Sequence, residues 1–179
     1  MILETSRLIL RPWKEEDAEA LYKYAKDPRI GPMAGWPVHS DVKNSEQIIK
    51  EVLSEEENYA ITLKGEDSPI GCIGLMIGEK SNIFIGNDDG EVGYWIGVPY
   101  WGQGLIPEAV NELMRHGFED LYLRMIWCGY FEGNEKSKRV QEKCGFSYHH
   151  TEKDKKWPLT NDIRTEHINC ITKEQWDNR

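Results

Sequence analysis

The stretch Tyr94-Trp95-Ile96-Gly97-Val98-Pro99-Tyr100-Trp101-Gly102-Gln103-Gly104-Leu105-Ile106-Pro107-Glu108-Ala109 constrains the fold more than any other part of this chain. Its opening is rich in aromatic and branched residues, which suit a strand. Two glycines follow in close succession. The chain then continues with Ala109, Val110, Leu113, Met114 and Phe118 on one helical face. A strand that turns sharply into a helix calls for a parallel crossover, so the chain reads as mixed α/β. The same junction aims unpaired backbone N–H groups and the positive end of a helix dipole at one spot, which suits a pyrophosphate. Gly102 and Gly104 let that backbone approach a ligand with no Cβ in the way. Pro107 fits the first helical turn, where its missing N–H has no intrahelical partner to lose.

Two phosphate motifs can be tested against this segment, and neither fits. The phosphate loop of nucleotide triphosphatases needs Gly-Lys-Ser/Thr, and neither a Lys nor a hydroxyl follows Gly104. The dinucleotide fingerprint needs a further glycine where Pro107 stands.

Around this junction the pattern alternates between the two periods. Leu8 and Leu10 mark a first strand, and Ala18, Leu21, Tyr22 and Ala25 a helix that Asp27-Pro28 ends. Residues 28–41 read as a loop, and Ile48, Ile49, Val52 and Leu53 as a second helix. Strands follow around Tyr59–Leu63, Ile70–Ile77 and Val92–Val98, with a turn signal at Asp88-Asp89-Gly90. Met125–Cys128 reads as a buried strand. Asn134 caps a short helix with Ser137, Val140, Gln141 and Cys144 inward and Gly145 at its end. Two last strands lie around Phe146–Thr151 and Arg164–Thr172. The order is β-α-α-β-β-β-α-β-α-β-β, with an antiparallel middle.

Bulk properties bound the function. A chain of 179 residues with 39% hydrophobic residues builds one domain, residues 1–179. A net charge of −9 argues against a nucleic-acid partner and suits a cationic acceptor such as an amine. No apolar run approaches membrane-spanning length, so no membrane partner is expected. Met1-Ile2-Leu3-Glu4 does not open a signal segment. Cys72, Cys128, Cys144 and Cys170 are widely spaced. They read as small buried hydrophobes in a reducing cytoplasm, with neither a disulfide framework nor a metal site.

The run Tyr100–Ala109 resembles the acetyl-CoA loop of GNAT acetyltransferases, nearest to the branch of the Rim-type ribosomal-protein N-terminal acetyltransferases. Asn134-Glu135-Lys136-Ser137, followed by Val140 and by Glu142-Lys143-Cys144-Gly145-Phe146, is similar to that family's second landmark. The opening Thr5-Ser6-Arg7-Leu8-Ile9-Leu10-Arg11-Pro12 and the closing Thr172-Lys173-Glu174-Gln175-Trp176 look like this branch too. The resemblance implies a GNAT fold: a mostly antiparallel sheet of about seven strands with a splayed parallel pair, flanked by about four helices. It implies acetyl-CoA as acetyl donor and no metal. One position departs from the family loop: Ile106 stands where a small residue is usual. The backbone donors stay usable if its side chain points away from the cofactor.

Site roles follow from the resemblance. Ile96, Gly97 and Val98 pair through their backbone with the pantetheine arm, and an N–H there stabilises the oxyanion. Trp101, Gly102, Gln103, Gly104, Leu105 and Ile106 form the pyrophosphate loop. Asn134 either orients the pantetheine amide or only caps its helix. Ser137 either donates a proton to the leaving thiolate or only packs inward. Glu91, at the start of the strand leading into the site, is the first candidate general base, and Tyr94 a weaker one. Met33, Trp36 and Trp157, with Tyr94, line the acceptor pocket. His116 is expected on a solvated helix face.

The function expected is acetyl transfer to a primary amine by direct attack in a ternary complex. The alternatives are a protein N-terminal acetyltransferase, which needs an open groove, and a non-catalytic acetyl-CoA-binding module. Exposed strand edges suit a homodimer.

Overall fold

A computed structural model describes the whole chain, residues 1–179. Its strands are β1 (Leu3–Glu4), β2 (Leu8–Arg11), β3 (Asn58–Leu63), β4 (Gly71–Ile77), β5 (Asp89–Ile96), β6 (Met125–Phe131), β7 (Ser147–Trp157) and β8 (Asp162–Thr172). Its α-helices are α1 (Ala18–Ala25), α2 (Gly31–Ala34), α3 (Val42–Ile48), α4 (Leu105–Arg115), α5 (Glu135–Lys143) and α6 (Lys173–Asp177). The strands form one sheet in the order β1-β2-β3-β4-β5-β6-β8-β7. β5 and β6 are parallel, with Asp89, Gly90 and Glu91 opposite Met125, Ile126 and Trp127. The other described pairs are antiparallel.

The expected seven strands become eight because β1 has only two residues, too few for an alternation to show in sequence. Within the loop expected at residues 28–41, α2 is a single turn, with Pro32 in its first turn. β5 begins at Asp89, in residues whose polarity reads as a turn; backbone pairing to β6 makes them strand instead.

The chain divides into two compact units: Met1–Gly74 with Tyr94–Ala109, and Leu75–Gly93 with Val110–Arg179. In the first, Trp13, Ala18, Leu21 and Ala25 pack with Ile49, Ala60 and Cys72, and Trp36, Leu53 and Trp95 seal the cluster. The spacing of Ala18, Leu21 and Ala25 turns one face of α1 inward. Arg11 is buried in this unit. Its guanidinium donates to both Asp17 oxygens at 2.8 and 2.9 Å and to Asp67 at 2.6 Å, so its charge is fully paired.

In the second unit, Ile83, Trp127, Ile168 and Cys170 pack together with Ile85 and Met125. A Cβ on Gly90 would meet Leu75 and Leu123 at 2.8 and 2.9 Å, so glycine there permits the close approach. Gln141, buried on α5, donates to Gly129 O at 3.0 Å and accepts from Asn169 at 2.7 Å. His116 corrects the sequence expectation. It is fully buried, with Nδ1 2.8 Å from Asp120 Oδ2. His116 lies seven residues after Ala109 and three after Leu113, both fully buried, so ordinary helical spacing sets it on the inner face, and a π turn follows over His116–Asp120. All four cysteines are buried and free. No helix is long and apolar enough to cross a membrane.

Candidate active site

The glycine junction lies in the first unit. β5 ends at Ile96, a 3-10 turn covers Val98–Tyr100, and α4 begins at Leu105. Gly102 and Gly104 have φ of +75° and +74°, left-handed values that a side chain opposes. A Cβ on Gly102 would meet nothing within 4 Å, so the backbone is open on that side. Backbone bonds run up to Trp101 N–H on Val98 O and resume with Glu108 N–H on Gly104 O. The N–H groups of Leu105 and Ile106 fall in the first helical turn, where no carbonyl of the helix reaches them. Ile106 is 7% exposed and packs in the core. An eleven-residue helix with such a start fits a pyrophosphate.

Side chains fold the loop back on itself. Trp101 Nε1 donates to Ile96 O at 2.9 Å, and Gln103 Nε2 donates to Pro99 O at 2.9 Å. Gly97 N–H donates to Ile70 O at 2.8 Å, and a Cβ on Gly97 would strike the Tyr24 ring at 2.6 Å. With Gly97 N–H spent, Val98 N–H is the amide of this stretch that opens its 3-10 turn and finds no carbonyl within it.

Neighbouring residues reach the same helix start. Thr5 Oγ1, Ser6 Oγ and Arg7 N–H all donate to Glu108 Oε1, at 2.5, 2.9 and 2.9 Å. Arg7 Nε and Nη2 lie 2.7 Å from Oε2, and Arg7 Nη1 donates to Gln103 O at 3.0 Å. Although burial pushes the other way, these donors hold the Glu108 carboxyl down to about 2. Sequence reasoning assigned neither residue a role; the signal was their place in the two family-like runs.

In the second unit, Glu91 is 6% exposed. Its Oε2 accepts from Ser81 Oγ at 2.8 Å and from Asn82 N–H at 2.7 Å. Burial pushes its carboxyl above the usual range; Ser81 and Asn82 pull it back, Glu166 adds to the rise and Lys155 opposes it. Lys155 joins the surroundings, donating to Asn82 O at 3.1 Å and to Glu166 at 2.8 Å. Asn134 caps α5, its Oδ1 accepting from Ser137 N–H at 3.2 Å. Gln141 Nε2 approaches Ser137 Oγ at 3.3 Å.

The expected acceptor residues fall in both units, Met33, Trp36 and Tyr94 in the first and Trp157 in the second. Met33 is exposed on α2. Trp36 packs in the first unit, its ring 5.8 Å from Trp95 and 5.3 Å from His39. Tyr94 is half-buried on β5, on the strand face opposite Glu91 by alternation. Trp157 is a buried anchor of the second unit, edge-on to Phe131 at 4.9 Å.

A family model described as an acetyltransferase (GNAT) domain matches residues 7–147. The chain is 33% identical over 129 residues to the uncharacterized N-acetyltransferase p20 of Bacillus licheniformis, covering 69% of this chain and 70% of that protein. A GNAT-family acetyltransferase structure from Bacillus anthracis superposes with a TM-score of 0.84 at 23% identity, covering 97% of this chain and 99% of that one. Mycobacterium smegmatis RimJ, solved in complex with CoA-disulfide, superposes with a TM-score of 0.78 at 22% identity, covering 98% and 87%.

Proposed function

The chain belongs to the GNAT acetyltransferase family, a family of acyltransferases, and from that premise we propose that it moves an acetyl group from acetyl-CoA to a primary amine by direct attack in a ternary complex. The observation that carries this reading is the pair of left-handed glycines opening onto the start of α4. Gly102 to Ile106 hold the pyrophosphate through backbone N–H groups, with Trp101 bracing the loop. The ends of Ile96, Gly97 and Val98 receive the pantetheine arm, and Val98 N–H faces the developing oxyanion. Glu91 takes the proton of the acceptor amine, directly or through a water. Ser137, aligned by Gln141, returns a proton to the departing thiolate, and Asn134 fixes the start of the helix that carries it. Met33 and Trp36 contribute apolar contacts to the acceptor, Tyr94 facing the other side of β5 from Glu91, and the net charge of −9 favours a cationic one.

The experiment is calorimetric titration with acetyl-CoA, with ATP and NAD as controls, followed by a thiol-release screen over small amines and peptides with free N-termini. Selective acetyl-CoA binding and thiol release with one acceptor class support the proposal. Selective binding without release from any acceptor leaves an acetyl-CoA-binding module, and absence of binding removes the loop assignment. For Ser137→Ala, a fall in kcat of about 10²-fold is expected, with acetyl-CoA affinity unchanged. Full turnover in that variant rejects the proton-donor role.

A further inference from the structure

We infer that Arg7 and Glu108 are a positioning pair for the acetyl-CoA loop, through which the N-terminal segment Thr5–Arg7 sets the geometry of the pyrophosphate donors. The inference rests on the reading that Gly102 to Ile106 bind the pyrophosphate.

The turn carries two glycines and so has little side chain of its own to fix it. Its glycines sit in left-handed conformations, and the Cβ position of Gly102 is open. Two of its contacts are internal, Trp101 on Ile96 O and Gln103 on Pro99 O. From outside the segment comes Arg7. Its guanidinium spans from Glu108, in the first turn of α4, to the carbonyl of Gln103 between the two glycines. Arg7 Nη2 also lies 3.7 Å from where a Gly104 Cβ would stand. One side chain therefore fixes the turn relative to the helix that it opens.

Charge gives the pair a second task. A carboxylate in the first turn of a helix opposes an anion bound at that helix start. Glu108 is kept ionised by its donors, so its charge persists at any working pH. Three donors from Thr5, Ser6 and the Arg7 backbone take one oxygen, and the Arg7 guanidinium covers the other. The carboxylate is thereby compensated where a diphosphate approaches. The pair contributes little as a mere surface ion pair, since the Arg7 side chain is 47% exposed.

The test compares two donors on the full chain by calorimetry: acetyl-CoA, and S-acetylpantetheine, which lacks the pyrophosphate. Arg7→Ala is expected to weaken acetyl-CoA binding by about 10- to 100-fold, while binding of S-acetylpantetheine stays within about twofold of the parent. Arg7→Lys restores the charge but not the fork, and part of the affinity returns. Glu108→Gln can keep the three bonds to Oε1 through its amide oxygen, but its NH2 cannot accept from Arg7 Nε and Nη2, so the guanidinium is released from the helix. It is expected to weaken the same donor by less than Arg7→Ala, because losing the fork loosens the loop while losing the carboxylate removes a charge that opposes the diphosphate. A general folding defect weakens both donors together and overturns the inference, as does unchanged acetyl-CoA affinity in both Arg7→Ala and Glu108→Gln. A parent protein that binds the two donors equally well removes the loop reading itself, and the inference falls with it.

Discussion

A Glu91→Gln variant is expected to fold, to bind acetyl-CoA within about twofold of the parent, and to lose about 10²- to 10⁴-fold in kcat. Folding is preserved because Ser81 Oγ and Asn82 N–H both reach the same oxygen, Oε2, and a glutamine amide oxygen can receive both. What disappears is the capacity to accept a proton. The parent's kcat/KM should rise with pH as the Glu91 carboxyl ionises. That limb lies above the ordinary carboxylate range because burial disfavours the charge. In the variant the limb vanishes. Stability moves the other way. With its folded pKa raised above the ordinary 4.5, Glu91 favours folding most below that value and loses this contribution as pH rises through the folded pKa. At neutral pH the buried charge is a burden, so the neutral glutamine should raise Tm. Higher Tm with lower kcat is a combination that a purely structural Glu91 does not produce. Undiminished kcat with the acid limb intact would reduce Glu91 to a strut holding the Ser81–Ile83 turn.

Features that depend on short-range chemistry were legible in sequence. The glycine turn before α4, the Asn134 cap and the left-handed Gly145 at the end of α5 each depend on a few adjacent residues, and each forms as expected. The parallel β5–β6 pairing followed from the crossover that the turn demands. Features that depend on distant partners were not legible. Arg7 and Glu108 are separated by 101 positions, and nothing local to either residue announces the pairing. Glu91 was visible as an acid at a strand start, but its donors come from Ser81 and Asn82, in a stretch whose polarity suggests only a surface turn. His116 was misplaced on its polarity, although its spacing from Ala109 and Leu113 sets it on the inner face, where Asp120 is its partner. Trp157 satisfies the composition of a pocket wall, yet its ring packs on Phe131, a contact between β6 and β7 that no periodicity encodes.

Gly104→Val is expected to weaken acetyl-CoA binding by at least about a hundredfold, because several charge-assisted backbone bonds share one loop conformation. Gly104 holds φ at +74°, where a β-branched residue is strongly disfavoured, and its Cβ would meet only the tip of Arg7 at 3.7 Å. The defect is therefore one of backbone conformation and ligand approach, with no overpacking of the core. A matched control exists in the same unit. Gly65, in the turn between β3 and β4, has φ of +88° with nothing within 4 Å of its Cβ position. Valine at either position should cost about 1–2 kcal/mol of stability, read as a Tm loss of roughly 2–8 °C. Only the Gly104 variant should lose the cofactor. Equal loss of binding in both would trace the effect to general destabilisation. Parental affinity in Gly104→Val would mean that the pyrophosphate is held elsewhere, since a loop that tolerates a β-branched residue at a left-handed position must have changed the very conformation that points its N–H groups at the ligand.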